Sequence, residues 1–311
     1  MALTIEQRKE RRLGVGGSDI AAIVGINKWL SPLDVYLEKI STEEPYEEEV
    51  SLLGPNPMEW GNIMEPVIIE HFERATGLNC TTGLETFVHP EYNYMRANID
   101  AKVLGEDALL ECKTAGQFMA NQWSNLGGDN IPEPYLLQCA YYAEVANVSK
   151  VYIAVLIGGN DFRIYDYNRN PALGKLILSK VTDFWENHVL KQIPPEPINL
   201  EDSVKLWKHT TGEDAKAATP DIEAIIKTMR ELKAQEKAIK SLYAEKQLHI
   251  CNFLQQDIAI NDDYGQTLLT WKPQTFNRFD GARFKAEHPE MYSSYVKSTE
   301  SRVFKLKGEV E

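Results

Sequence analysis

Apolar and polar positions divide the chain into two textures. Between residues 57 and 189, short apolar runs of strand length trade places with longer stretches of helical period, as in a domain that mixes a sheet with helices. Val103-Leu104 and Ala108-Leu109-Leu110 predict two strands around a turn at Gly105-Glu106-Asp107. Val151 to Gly158 is apolar on both faces, which predicts a buried central strand. Gly158-Gly159-Asn160-Asp161 then predicts a hairpin into Phe162 to Tyr167. Glu85 to His89 and Tyr92 to Ile99 are strand-like too.

Helix signals frame these strands. Ser31-Pro32-Leu33-Asp34 combines an N-cap, a first-turn proline and an acid at the third position, for a helix to about Ile40. Pro57 to Thr76 is helical and closed by Gly77, with a kink expected at Pro66. A helix from Gln117 is expected to turn at Gly127-Gly128. Glu133 to Val145 and Leu173 to about Val189 are helical, and Pro194-Pro195-Glu196-Pro197 reads as a stiff linker. An acidic loop, Glu43 to Glu49, interrupts the first part of the chain.

After about Ala215 the texture changes. Ile222, Ile225, Met229, Leu232, Ile239, Tyr243, Ile250 and Phe253 follow a heptad rhythm, which predicts one long helix with a coiled-coil-like stripe. From Lys272 to Lys307, eight Lys or Arg stand against four Asp or Glu, with six aromatic residues interleaved. Such a segment suits nucleic acid or a solvated cap equally. The expected organisation is therefore a mixed sheet-and-helix domain over 1–200, a long coiled-coil-like helix over 215–257 and a small basic, aromatic segment over 258–311.

Charge and composition narrow the function. A net charge of −13 over 311 residues argues against non-specific coating of nucleic acid but leaves room for a local basic groove. No apolar run approaches the roughly 20 residues of a membrane span, and the N-terminus has no apolar signal core, so a cytoplasmic protein with no membrane partner is expected. Cys80, Cys112, Cys139 and Cys251 are scattered without a C-x-x-C pair, which points to reduced thiols rather than a zinc or disulfide framework.

The chemistry concentrates at residues 97–114. Asp100 belongs to the first predicted strand, and Glu111 and Lys113, two apart, leave one face of the second while Cys112 leaves the other. Two carboxylates and a lysine at a sheet end are costly unless a cation binds between them, and Mg²⁺ suits carboxylate oxygens while keeping room for water and substrate. Two exposed carboxylates beside a lysine are the plain alternative. Upstream, Arg8-Lys9-Glu10-Arg11-Arg12 leads into the turn Leu13-Gly14-Val15-Gly16-Gly17. Ser18 reads there as the N-cap of a short helix, an arrangement suited to phosphate. Gly61 lies one helical turn before Glu65, and Tyr135, Gln138 and Tyr142 share one helix face.

Taken in order, Arg12-Leu13-Gly14-Val15 with Gly17-Ser18-Asp19, Gly61 with Glu65-Pro66, Asp100 with Glu111-Cys112-Lys113-Thr114, and Tyr135 with Gln138 resemble the YqaJ-type viral recombinases. These are similar in pattern to the phage lambda exonuclease type within the PD-(D/E)XK superfamily. The resemblance covers residues 8 to about 167. Ile99 stands where the superfamily name has proline. The resemblance implies an α/β (α+β) restriction-endonuclease-like core, a mixed central sheet flanked by helices. It implies a nuclease that digests one strand of duplex DNA from 5′ ends and leaves 3′ tails for a single-strand annealing recombinase. In this reading two Mg²⁺ ions, with Mn²⁺ able to substitute, are held by Glu65, Asp100, Glu111 and the carbonyl of Cys112. Lys113 orients water, Gln138 assists, and Arg12, Ser18 and Tyr135 hold DNA. A homo-oligomer is expected, in the cytoplasm of a bacterial host. The alternatives are an endonuclease for branched or specific DNA, and a decayed binding protein built on the 222–253 helix.

Overall fold

The computed structural model describes residues 5–44, 56–123, 131–208, 215–298 and 302–308. Most of the predicted acidic loop and the Gly127-Gly128 turn lie outside these residues. The chain forms two compact units, residues 1–206 and 207–311.

The first unit opens with α1 (Ile5–Arg12), a 3₁₀ turn at Gly17–Asp19, the one-turn α2 (Ile20–Ile23) and α3 (Pro32–Ile40). The Ser31 hydroxyl accepts the Asp34 N–H and the Asp34 carboxylate accepts the Ser31 N–H, so the predicted cap of α3 is present. α4 (Pro57–Thr76) runs through Pro66 as one helix and ends at Gly77 with φ 75°, a left-handed cap that glycine adopts without steric cost.

Seven strands follow: β1 (Cys80–Thr81), β2 (Phe87–Val88), β3 (Arg96–Ala97), β4 (Ala101–Val103), β5 (Ala108–Ala115), β6 (Lys150–Ile157) and β7 (Asp161–Asn168). Five form a mixed sheet of order β1-β4-β5-β6-β7. β5 and β6 are parallel and in register from Ala108 opposite Lys150 to Ala115 opposite Ile157. Parallel neighbours require a crossover, and α5 (Glu133–Val145) supplies it. α6 (Pro171–Asp183) continues as a π-helical turn, Phe184–Val189, and α7 (Leu200–Leu206) closes the unit. The Ser31 hydroxyl donates to the buried Asp202 carboxylate on α7 at 2.7 Å, so the unit runs past the proline segment. The two strand-like stretches at 85–99 shrink to the two-residue pair β2 and β3, because His89 to Asn93 is taken up by a turn. The helix predicted from Gln117 is a 3₁₀ turn, Gln117–Gln122.

Strand alternation decides which face each β5 side chain serves. Leu110 packs with Ile68, Ile69 and Phe72 of α4 in one apolar layer, with Cys112 against it. Leu109 packs with Val151, Ile153, Cys139 and Tyr141 in the other, on the side of α5 and α6. The mixed five-stranded sheet between helical layers has the α/β architecture anticipated from the resemblance.

The second unit contains α8 (Pro220–Leu254), the β8 (Ala259–Asn261) and β9 (Thr267–Thr270) hairpin, α9 (Gly281–Glu287) and α10 (Pro289–Tyr295). Most of the predicted apolar stripe of α8, including Leu232, Ile239, Tyr243 and Phe253, is exposed. No helix among the described residues is long and apolar enough to cross a membrane.

Candidate active site

The middle of β5 carries the densest chemistry in the chain. Lys113 Nζ lies 2.5 Å from Glu111 Oε1, as expected for two residues on one face. Gln138 Nε2 on α5 donates to the same oxygen at 2.7 Å. The other oxygen, Glu111 Oε2, is buried and has no hydrogen-bond partner among the described residues. Asp100 falls one residue before β4 rather than on it, because its side chain turns back to accept the Cys112 N–H at 2.7 Å. α4 adds Glu65, and Gly61 one turn earlier has nothing within 4 Å of where a Cβ would sit. Together Gly61, Glu65, Asp100, Glu111, Cys112 and Lys113 line a cleft of about 250 Å³.

The cleft is electrostatically loaded. Burial, then the charge of Glu111, pushes the Asp100 carboxyl up to about 8. Burial and the same neighbour raise Glu65 as well. Burial acts to lower the Lys113 ammonium, yet its contact with Glu111 wins and holds it above the ordinary lysine range. A protonated lysine therefore sits among acids that resist ionising together. Among the described residues, no three Asp, Glu, His or Cys side chains close into a ready-made cation cage. The reason is visible: Glu111 is drawn onto Lys113 and Gln138, and Asp100 onto a backbone amide. Even so, the orphaned Glu111 Oε2 and the suppressed ionisation of Asp100 are what a carboxylate set shows when it fits a hard cation. Mg²⁺ needs only a few protein oxygens because it keeps water.

A second cavity, of about 160 Å³, lies over the glycine turn and is lined by Arg11, Gly16, Gly17, Ser18, Arg96 and Tyr142 among others. Here the geometry corrects two expectations. Ser18 is exposed and makes no cap bond. Asp19 ties the turn instead, its carboxylate accepting the Gly16 N–H at 3.0 Å and pairing with Lys39 at 2.8 Å and Arg11 at 3.1 Å. Arg12 points elsewhere, its guanidinium donating to the Glu43 carbonyl at 2.6 Å. Arg11 is held by Asp19 and Glu38, which leaves Arg96 as the cavity arginine whose guanidinium has no carboxylate partner among the described residues.

α5 links the two cavities. Gln138 Nε2 donates to the Tyr142 hydroxyl at 2.8 Å as well as to Glu111. The Tyr142 O–H proton has no acceptor among the described residues. A Cβ at Gly17 would lie 2.3 Å from the Tyr142 ring, so only glycine lets the turn pack this closely on α5. Tyr135 stacks on Trp123 at 5.3 Å and lies under Lys113 Nζ, 5.2 Å from its ring centre.

Of the residues named from sequence, Glu65, Asp100, Glu111, Cys112, Lys113, Gln138 and Tyr135 come together, and Ser18 lines the neighbouring cavity. Arg12 joins neither. Sequence reasoning missed Asp19, Lys39 and Arg96. The first had a signal, an acid three residues after Gly16 in a capping position; the other two had none.

Residues 7–149 match the YqaJ-like viral recombinase domain. Over 306 residues the chain is 31% identical to the uncharacterized protein YqaJ of Bacillus subtilis (strain 168), covering 96% of this chain and 92% of that protein. The chain belongs to the YqaJ-like viral recombinase family. Both cavities draw their lining from within the YqaJ-like segment. Among solved structures, the chain is similar to an alkaline exonuclease, LHK-Exo, from Laribacter hongkongensis, at 16% identity and a TM-score of 0.49, over 61% of this chain and 94% of that one. A phage related exonuclease from Haemophilus somnus 129PT is similar at 12% identity and a TM-score of 0.44, over 60% and 99% of the two chains.

Proposed function

We propose that this protein is a divalent-metal-dependent DNA exonuclease of phage-type recombination, working from 5′ ends and leaving 3′ tails for an annealing protein. The observation that carries the reading is the cleft in which Glu65, Asp100 and Glu111 surround Lys113, with one buried Glu111 oxygen unpartnered. Family membership supports a recombination role, and the resemblance of the motif order to phage exonucleases supports the polarity, the annealing partner and a homo-oligomer.

Glu65, Asp100, Glu111 and the Cys112 carbonyl would hold Mg²⁺, or Mn²⁺ in its place. Such an ion supplies a nucleophile at neutral pH and neutralises charge on the scissile phosphate. The chain's own groups do the rest. Lys113, kept protonated by Glu111, donates to the attacking water or to a phosphate oxygen rather than serving as a base. Gln138 fixes the Glu111 carboxylate so that Oε2 stays turned toward the cleft. Tyr135 supports the lysine from below through its ring face. Arg96, the Gly17 and Ser18 backbone of the turn and the Tyr142 O–H are the donors available to a terminal phosphate.

The test is digestion of end-labelled linear duplex with and without Mg²⁺, products sized over time, beside closed circular duplex. Metal-dependent mononucleotide release from linear DNA alone is expected. Cleavage of the closed circle would replace the exonuclease by an endonuclease, and inactivity on all substrates with Mg²⁺ or Mn²⁺ would overturn the reading.

A further inference from the structure

The charge of this protein is divided unevenly. Residues 207–311 hold sixteen Lys or Arg and sixteen Asp or Glu, so the entire net charge of −13 resides in residues 1–206. An acidic unit repels a polyanion over distances of a Debye length, about 8–10 Å at ordinary salt. Any DNA it works on needs purchase elsewhere.

Within the second unit, α8 gathers cations on one face. Arg230, Lys233 and Lys237 fall at i, i+3 and i+7, which places them side by side along the helix. Residues 302–308 run beside them and add Lys307. These four, with Ala234, Leu306 and Gly308, line a cavity of about 360 Å³ that includes no acidic residue among the described residues. Arg230 is committed on one side only. Its guanidinium donates to the Lys307 carbonyl at 2.8 Å, which fixes the two segments together, while its Nε is buried without a partner among the described residues. Gly308, at φ 84°, lets the backbone pass over the guanidinium; a Cβ there would lie 3.0 Å from it. Lys233 and Lys237 are exposed, and neither forms an ion pair among the described residues. Nearby Glu236 pairs with Lys240 and feels Lys233 only at longer range. Like charges crowded this way repel unless an anion lies among them, and the unfilled Arg230 donor points to an oxygen-rich one. Phe304, three-quarters exposed on the same segment, offers a surface on which a base can stack.

We propose that Arg230, Lys233, Lys237 and Lys307 form a binding site for the phosphodiester backbone of a DNA strand, built from residues other than those of the carboxylate cleft. The site concerns binding alone, so it stands or falls independently of the cleavage chemistry.

The experiment uses the full chain in EDTA, so that no strand is cut. Anisotropy of a labelled 20-nucleotide oligothymidine is titrated at several salt concentrations, comparing wild type with Lys233→Gln/Lys237→Gln. Both lysines are exposed, and circular dichroism checks the fold. Affinity should fall about tenfold or more, and the slope of log K against log salt should drop by about 1–2, since each lost phosphate contact removes roughly 0.7. Lys233→Arg/Lys237→Arg should restore both. Unchanged affinity and slope in the Gln variant would overturn the proposal. So would displacement of the oligonucleotide by a poly-glutamate peptide at equal charge concentration, which would make the cavity a seat for acidic protein.

Discussion

Replacing Asp100 by Asn should stabilise the metal-free protein, and by an amount that grows with pH. Burial and Glu111 push the Asp100 carboxyl from 3.8 up to about 8. Between those values the folded protein binds a proton that the unfolded chain has released, so stability falls as pH rises through that window and is flat on either side. At 1.36 kcal/mol per unit, the ceiling on this loss is about 2 kcal/mol at pH 5 and about 4 kcal/mol at pH 7. Residual solvent contact at Asp100 screens it, so about half is the working figure. Asparagine cannot ionise, and its side-chain oxygen still accepts the Cys112 N–H that Asp100 accepts at 2.7 Å. The exchange therefore removes the charge and keeps the hydrogen bond.

For a unit of this size, each kcal/mol moves Tm by about 2–4 °C. In EDTA, Asp100→Asn should melt about 4–8 °C above wild type at pH 7 and within about 2 °C of it at pH 4. Adding Mg²⁺ should reverse the order, because only wild type keeps the full carboxylate set, and binding to the folded state alone raises its stability. The assay is thermal denaturation across pH 4–8 with and without Mg²⁺. Parallel pH profiles for the two proteins in EDTA would refute the argument that Asp100 is held at an unfavourable ionisation. A Tm gain that persists unchanged in Mg²⁺ would leave that argument intact but remove Asp100 from the cation site.

Other outcomes follow from the same geometry. Lys113→Ala should lower single-turnover cleavage by about 10²–10³-fold while the Kd for DNA in EDTA changes only a few-fold, as for a group acting in the transition state; an equal loss in both would make it a plain phosphate contact. Duplex with a 5′-phosphate should be digested faster than duplex with a 5′-hydroxyl, and Arg96→Gln, rather than Arg12→Gln, should erase that preference; equal rates at both ends in wild type would remove the terminal-phosphate pocket. Gly17→Ala should destabilise by about 1–3 kcal/mol in a urea titration, because its Cβ meets the Tyr142 ring. Gly61→Ala, with open space at its Cβ and a helical position, should instead gain up to about 1 kcal/mol; a loss of similar size at both glycines would contradict the packing described.

What the sequence revealed followed periodicity and local chemistry. β5, β6 and the β6–β7 hairpin were legible because alternation and a Gly-Gly turn act over a few residues. The pairing of Glu111 with Lys113 was legible because a strand fixes which side chains share a face. From the residues alone Gln138 was legible as a face partner of Tyr135 and Tyr142, and the resemblance added an assisting role; its bond to Glu111 depends on where the crossover lays α5 against the sheet. The Ser18 cap and the direction of Arg12 differ from expectation for a related reason. Sequence says that a basic helix precedes a glycine turn, but which arginine reaches the turn is set by α3. Lys39, from α3, takes the Asp19 carboxylate together with Arg11, and the neighbouring Arg12 is left to the Glu43 carbonyl.

The carboxylate cleft and the cavity over the glycine turn are one mechanical assembly. Gly17 lies against the Tyr142 ring, Tyr142 is bonded to Gln138, and Gln138 is bonded to Glu111. Each link is short and buried, and α5 spaces Gln138 and Tyr142 by a single helical turn. On the proposed function, a phosphate seated over the glycine turn is therefore held at a fixed separation from the cleft carboxylates, and that separation selects which phosphodiester is cut. Loss of the Gln138 link should then show in the product before it shows in affinity. Gln138→Ala should broaden the released products from mononucleotides to a mixture with short oligonucleotides, since Glu111 loses its positioning donor and the end loses its register. A variant that is slow but still releases mononucleotides alone would mean that register is set elsewhere and that Gln138 only orients the carboxylate.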